Sequence, residues 1–237
     1  MNYQIYMYPF LSVIIGYLIA LFVTPKNKKN IKLLLAFSGS FLLSLTVMHL
    51  LPGIYASEGS HHEAHGHEHV HSTVGLYIML GIVFQIILEY FSKGAEHGHV
   101  HGHEKMSQIP WLLFISLCVH AVLEGIPINN DNHLAFGIAI HHLPIAIILT
   151  LFFKNAALDK KAILFFMIVF ALMTPVGTLL AKELNFIQTY QAQALGFVVG
   201  ILFHISSTII FETSEGHKFN LAKLLAITFG IVIASFM

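Results

Sequence analysis

Arginine is missing from this chain of 237 residues; its twelve basic residues are all lysine. Without guanidinium forks, and with a formal charge of zero, it lacks the basic face and the bidentate phosphate grip of a nucleic-acid binder. Charge of either sign is scarce, at 10% of residues against 56% hydrophobic, which lies outside the balance of a water-soluble domain. The single cysteine, Cys118, lies in an apolar run, so an internal disulfide is excluded and the thiol reads as a small buried hydrophobe. A glycine-rich phosphate loop is also missing, which removes ATP coupling.

What the chain has is long apolar runs. A bilayer core about 30 Å thick takes roughly 20 apolar residues in helix, and only helices or closed barrels satisfy their backbone there. The runs predict an all-α bundle of eight spans near 5–24, 32–53, 74–92, 109–128, 133–153, 162–182, 192–212 and 220–237. The first has neither a basic leader nor a small-residue cleavage pattern and reads as a retained span. Linkers are short and carry turn residues, as in Thr24-Pro25-Lys26-Asn27 and Asn129-Asn130-Asp131-Asn132. One transmembrane domain over 1–237 is expected.

Lysine placement tests this count, because cytoplasmic linkers retain positive charge. Lys26, Lys28, Lys29 and Lys32 follow the first span, and Lys93 and Lys105 flank the third linker. Lys154, Lys160 and Lys161 mark the fifth and Lys218 and Lys223 the seventh, leaving Lys182 alone in an even linker. Odd linkers are thus expected in the cytoplasm and both termini outside.

Ionisable groups inside a span are costly and point to function. His120 and Glu124, four residues apart, share one face of the fourth span and can converge on one ion or pair with each other. Gly125 and Pro127 follow, and proline frees the carbonyl of Leu123. The fifth span repeats the arrangement in His141-His142-Leu143-Pro144, so two broken helices carrying ligands near mid-membrane are expected, a pattern typical of transporter sites. Adjacent helical residues point about 100° apart, which favours His141 as the ligand over His142. His49, His204 and Glu212 are candidates for a metal path. His49 could equally rest at the interface, His204 among Ser206, Ser207 and Thr208 could serve helix packing, and Glu212, like Glu89, could snorkel to water.

The other histidines cluster in His61-His62-Glu63-Ala64-His65-Gly66-His67-Glu68-His69-Val70-His71, within an outer linker at 54–73, and in His97-Gly98-His99-Val100-His101-Gly102-His103-Glu104, within a cytoplasmic linker at 94–108. Such tracts bind borderline cations loosely and exchangeably. Tracts on both faces, beside intramembrane ligands, are most simply explained together by metal transport.

Several pieces resemble the ZIP family of divalent metal transporters: Ser38-Gly39-Ser40-Phe41 leading to His49-Leu50-Leu51-Pro52, His120-Ala-Val-Leu-Glu124-Gly125, Thr174-Pro175-Val-Gly177, and Gly196 to Gly200 followed by Glu212. The span count and the histidine-rich linker after span three are similar too. The resemblance implies transport into the cytoplasm, with spans one, four, five and six shifting against the others. Where many members have an asparagine or aspartate after the first histidine of span four, this chain has Ala121. In span five His142 stands where the family has glutamate, and Ile145 where it has histidine or glutamate. The resemblance therefore implies one primary metal site of His120, Glu124 and His141, with any second site reduced to His142.

The expected function is transport of a divalent transition metal, zinc first and Fe2+, Mn2+ or Cd2+ as alternatives, since imidazole and carboxylate suit several ions. The expected setting is the lipid bilayer of the plasma or cytoplasmic membrane as a multi-pass protein, with no prosthetic group. Gly196 and Gly200 form a small-xxx-small pair that can pack helices within one chain or between two, which leaves a homodimer open. Two rivals stand beside this: an intramembrane zinc hydrolase with Glu124 as general base, and a metal sensor without flux. The hydrolase lacks a histidine-glutamate-two-residues-histidine motif.

Overall fold

The computed structural model describes residues 2–22, 28–59, 73–92, 111–129, 131–212 and 221–237, and these are all-helical. α1 is Gln4–Phe22, α2 Lys28–Leu45, α3 Leu51–Gly59, α4 Thr73–Ser92 and α5 Trp111–Gly125. α6 is Asn132–Asn155, α7 Lys160–Glu183, α8 Asn185–Thr189, α9 Gln191–Glu212 and α10 Leu221–Ser235. Seven helical stretches are long and apolar enough to cross a membrane, α2 and α3 counting as one from Asn30 to Tyr55. α10, with 15 residues, is about 22 Å long at 1.5 Å per residue, short of the hydrocarbon thickness. It falls within the expected eighth span. The histidine tract at 97–104 and that at 61–71 lie outside the described residues, and α3 carries helix to Gly59, past the expected start of the outer linker.

Packing contacts establish how the helices run. α1 and α6 are parallel: Asn2 donates to the Asn132 side chain at 2.7 Å at one end, and Lys154 Nζ donates to the carbonyl of Ala20 at 2.8 Å at the other. α2 and α10 are parallel, with Phe37 on Phe229 and His49 on Ala234. α5 and α7 are parallel, with Phe114 on Phe166 and Gly125 against Thr174 and Thr178. α4 and α9 are parallel, with Gly196 near Val74 and His204 on Glu89. Ser38 meets His141 while Leu45 meets Gly137, so α2 opposes α6. The short turns around residues 156–159 and 184–190 make α7 oppose both α6 and α9. Directions therefore alternate in the order expected of successive spans, and residues 2 and 237 lie at one end of the bundle.

Burial divides the helices into two cores. One joins α1, α5, α6 and α7 around Val13, Leu117, Ala146, Phe153, Phe166 and Phe170. The other is built on α2 and α9, with Phe41, Leu42, Leu45, Val198, Leu202 and Ile205, and takes in Val74 of α4 and Ala234 of α10. α6 feeds both, through Ile145 and Leu149 to the first and Ile138 and Ile148 to the second. Its apolar window is 78% buried, against 17% for α4, so α6 is the central helix and α4 a peripheral one.

Two local features depart from the sequence reading. α6 runs unbroken through Pro144, correcting the expectation of a broken fifth span. A single lost hydrogen bond bends a helix without ending it when neighbours hold both halves, and α1 abuts α6 here: a Cβ on Gly16 would fall 2.8 Å from the carbonyl oxygen of Leu143. Only α5 is interrupted, passing after Gly125 into a 3-10 turn at Ile126–Ile128 that contains Pro127. Between α2 and α3 the helix widens into a π turn at Thr46–Leu50, where Leu51 N–H donates to the carbonyl of Thr46. Pro52, with no N–H to give the preceding turn, follows at once.

Candidate metal centre

Glu124, the penultimate residue of α5, is the hub of a buried cluster. The i, i+4 spacing places His120 Nε2 at 3.3 Å from Glu124 Oε1. α6 brings His141 Nε2 to 3.6 Å from the same oxygen and His142 Nε2 to 2.6 Å from Oε2. The four residues are between 1 and 6% exposed, so these charges and lone pairs are withdrawn from both solvent and lipid. The 100° offset between His141 and His142 is met by the two oxygens of one carboxylate, each histidine facing its own.

Ser38 of α2 completes the arrangement. Its hydroxyl lies 2.8 Å from His141 Nδ1 and 3.4 Å from the carbonyl oxygen of His141. With the hydroxyl proton directed to that carbonyl, Ser38 Oγ accepts from Nδ1–H, and the lone pair of Nε2 is left facing Glu124. This is the outer hydrogen bond that orients a metal-ligating histidine. Nothing local in the sequence signals it, since the partners are 103 residues apart.

Glu124 Oε1 has no hydrogen-bond partner among the described residues. Two donors on a tetrahedral zinc, each about 2.1 Å from it, stand about 3.4 Å apart. The observed separations of 3.3 and 3.6 Å fit that edge. Ligand atoms of His120, Glu124 and His141 all lie within 4.8 Å of one another, so the remaining edge needs only a small side-chain adjustment. Two imidazole nitrogens and a carboxylate oxygen make a donor set for zinc and similar ions, with a coordination position left for water.

The end of α5 is fixed by α7. Thr178 Oγ1 lies 3.0 Å from the carbonyl oxygen of Gly125 and 3.2 Å from that of Thr174. Helix contact is close here because Gly125 and Gly177 face each other's helix: a Cβ on Gly125 would fall 2.8 Å from Thr178 N. The ligand-bearing turn is thus pinned where proline ends its own hydrogen bonding.

The path candidates are placed elsewhere. His49, in the π turn, has Nε2 at 3.0 Å from the carbonyl oxygen of Ala234 and borders a cavity of about 170 Å³ with Asp131, His133 and Met237. His204 Nε2 lies 2.6 Å from Glu89 Oε2 across the α9–α4 contact, so Glu89 is an interhelical partner rather than a snorkelling carboxylate. Ser207 and Thr208 both turn back to the carbonyl of His204, and Ser206 to that of Leu202; these hydroxyls serve their own helix, not a neighbour. The side chain of Glu212 lies outside the described residues.

An all-helical protein with spans of membrane-crossing length and a buried His/Glu cluster of ligand geometry is a polytopic membrane protein able to hold a metal. Residues 5–110 match the family model described as ZIP Zinc transporter, the family that the motifs resemble, and the match supports a metal transporter. It takes in α1 to α4 and stops before α5, so it is independent of the ligand cluster. No curated protein matches the chain.

Proposed function

We propose that this protein carries a divalent transition metal, zinc foremost, across a membrane toward its lysine-rich side, through a site of His120, Glu124 and His141 on α5 and α6. The carrying observation is the buried carboxylate of Glu124, ringed by three imidazoles, with Oε1 facing two of them yet in no hydrogen bond among the described residues. An ion against Oε1 replaces that missing interaction. His142, donating to Oε2, holds the carboxylate in place. With Oε2 tied to His142 and Oε1 facing the imidazoles of His120 and His141, Glu124 suits a ligand better than a free general base, which favours a carrier over a hydrolase.

The ligands come from α5 and α6, which share a core with α1 and α7, while Ser38 lies on α2, which with α9 builds the other core. Sliding of α1, α5, α6 and α7 against α2 and α9 would carry the ligands while breaking the Ser38–His141 bond, and so expose the ion on alternate sides. α10 serves as the eighth span, with both chain ends opposite the lysine-rich side, which positive-inside bias assigns to the cytoplasm.

The test is zinc influx into proteoliposomes, with iron, manganese and cadmium as competitors, beside Glu124→Ala. Saturable influx that the variant loses while still inserting in the membrane is the expected result. Full influx by the variant would refute the site, and zinc binding without influx would refute the carrier.

A further inference from the structure

Among the seven helical stretches of membrane-crossing length α4 is the most open to its surroundings, yet it turns one amide fully inward. Gln85 is completely buried, and neither its Oε1 nor its Nε2 has a hydrogen-bond partner among the described residues. A buried amide left unpaired is costly in a medium without water, so such groups belong with an ordered water or a ligand.

Its surroundings point to the ligand. Glu89 is one turn further along α4 on the same face, and its Oε2 lies 2.6 Å from His204 Nε2 of α9. On the other side, Ser116 Oγ donates to the carbonyl of Leu88 at 3.1 Å. Because α4 and α5 run in opposite directions, Gln85, about 4.5 Å along α4 from Leu88, is level with His120, about 6 Å along α5 from Ser116. The amide of Gln85 thus lies at the level of the central cluster and the Glu89 carboxylate one turn nearer the lysine-rich end, with the imidazole of His204 beside it.

We propose that Gln85, Glu89 and His204 form a second holding site for the divalent metal, between the central cluster and the lysine-rich end of the bundle. This rests on the reading that the chain carries metal. An ion here takes one oxygen of Glu89, Nε2 of His204 in place of their mutual hydrogen bond, and Oε1 of Gln85, a nitrogen and oxygen set suited to a borderline cation. The site is half-open, with the Glu89 and His204 side chains 22 and 18% exposed, as suits a station from which the ion departs.

The experiment is anomalous X-ray scattering at the zinc edge from crystals of the full chain grown with zinc, for the wild type, His204→Ala and Gln85→Leu. Two zinc peaks are expected in the wild type, one at Glu124 Oε1 and one between Glu89 and His204. The second is lost in His204→Ala and weakened in Gln85→Leu, which keeps side-chain volume while removing the amide, and the first is retained in both. Zinc at Glu124 alone overturns the second site and leaves the carrier reading standing. Zinc at Glu89–His204 alone overturns the central site instead, and zinc at neither overturns both.

Discussion

Replacing Ser38 by alanine removes one oxygen from the cluster without touching a metal ligand. The hydroxyl is fully buried, accepts from His141 Nδ1 at 2.8 Å, and lies 3.4 Å from the carbonyl of the same residue. In the variant, Nδ1–H loses its partner where water is scarce, and the imidazole is no longer held in the tautomer that presents Nε2 to the ion. Loss of such an outer partner costs about 10- to 100-fold in metal affinity, equivalent to about 1.4–2.7 kcal/mol. Zinc influx into proteoliposomes should therefore keep a saturable course with its half-saturating concentration raised by about that factor. Glu124→Ala loses influx altogether, so the two defects are distinguishable. An unchanged half-saturating concentration in Ser38→Ala would refute the argument that the hydroxyl orients His141.

Other perturbations follow from the same contacts. His142→Ala removes the donor to Glu124 Oε2 and leaves the buried carboxylate no longer held in place, so it should lower zinc influx severely, while His142→Gln, which restores an N–H donor, recovers part of it; equal influx in the two variants would contradict the holding role. Gly177→Val places side-chain carbons against the backbone of Val122, and overpacking of this kind costs about 1–3 kcal/mol or more; the detergent-solubilised variant should melt earlier than the wild type. Asp131 caps α6, its Oδ1 accepting from His133 N at 2.8 Å and Leu134 N at 3.1 Å, so Asp131→Ala should cost about 1 kcal/mol in thermal unfolding, and Asp131→Asn much less.

The positions of the helices were legible because a bilayer imposes a length and a hydropathy on each span. Apart from α3, which runs on to Gly59, and the short α8, which was not expected, the described helices begin and end within a few residues of the expected ones, and the pairings of α1 with α6 and of α2 with α10 have the relative directions expected of alternating spans. His120 and Glu124 were legible as a local pair at helical spacing. The rest of the cluster depends on which helices touch, and that is decided by side chains far apart in the chain. Ser38 appeared only as part of a motif, and Glu89 and His204 were read as separate residues although they are bonded across 115 positions. Pro144 was misleading for a related reason. Proline marks a weak point in a helix, but whether the helix breaks there depends on its neighbours, and α1 supports it from the side.

That support gives α1 an importance out of proportion to its composition, which includes no metal-binding candidate. Gly16 lets α1 seat against Leu143 and Ala146, immediately beside His142, and Lys154 anchors the far end of α6 to the last carbonyls of α1 at Ala20 and Leu21. The two helices are therefore one plank, fastened beside the ligands and again at its end. A push on α1 would be delivered to the proposed metal site itself, and a bulky residue at Gly16 should disturb metal handling without altering any of the proposed ligands.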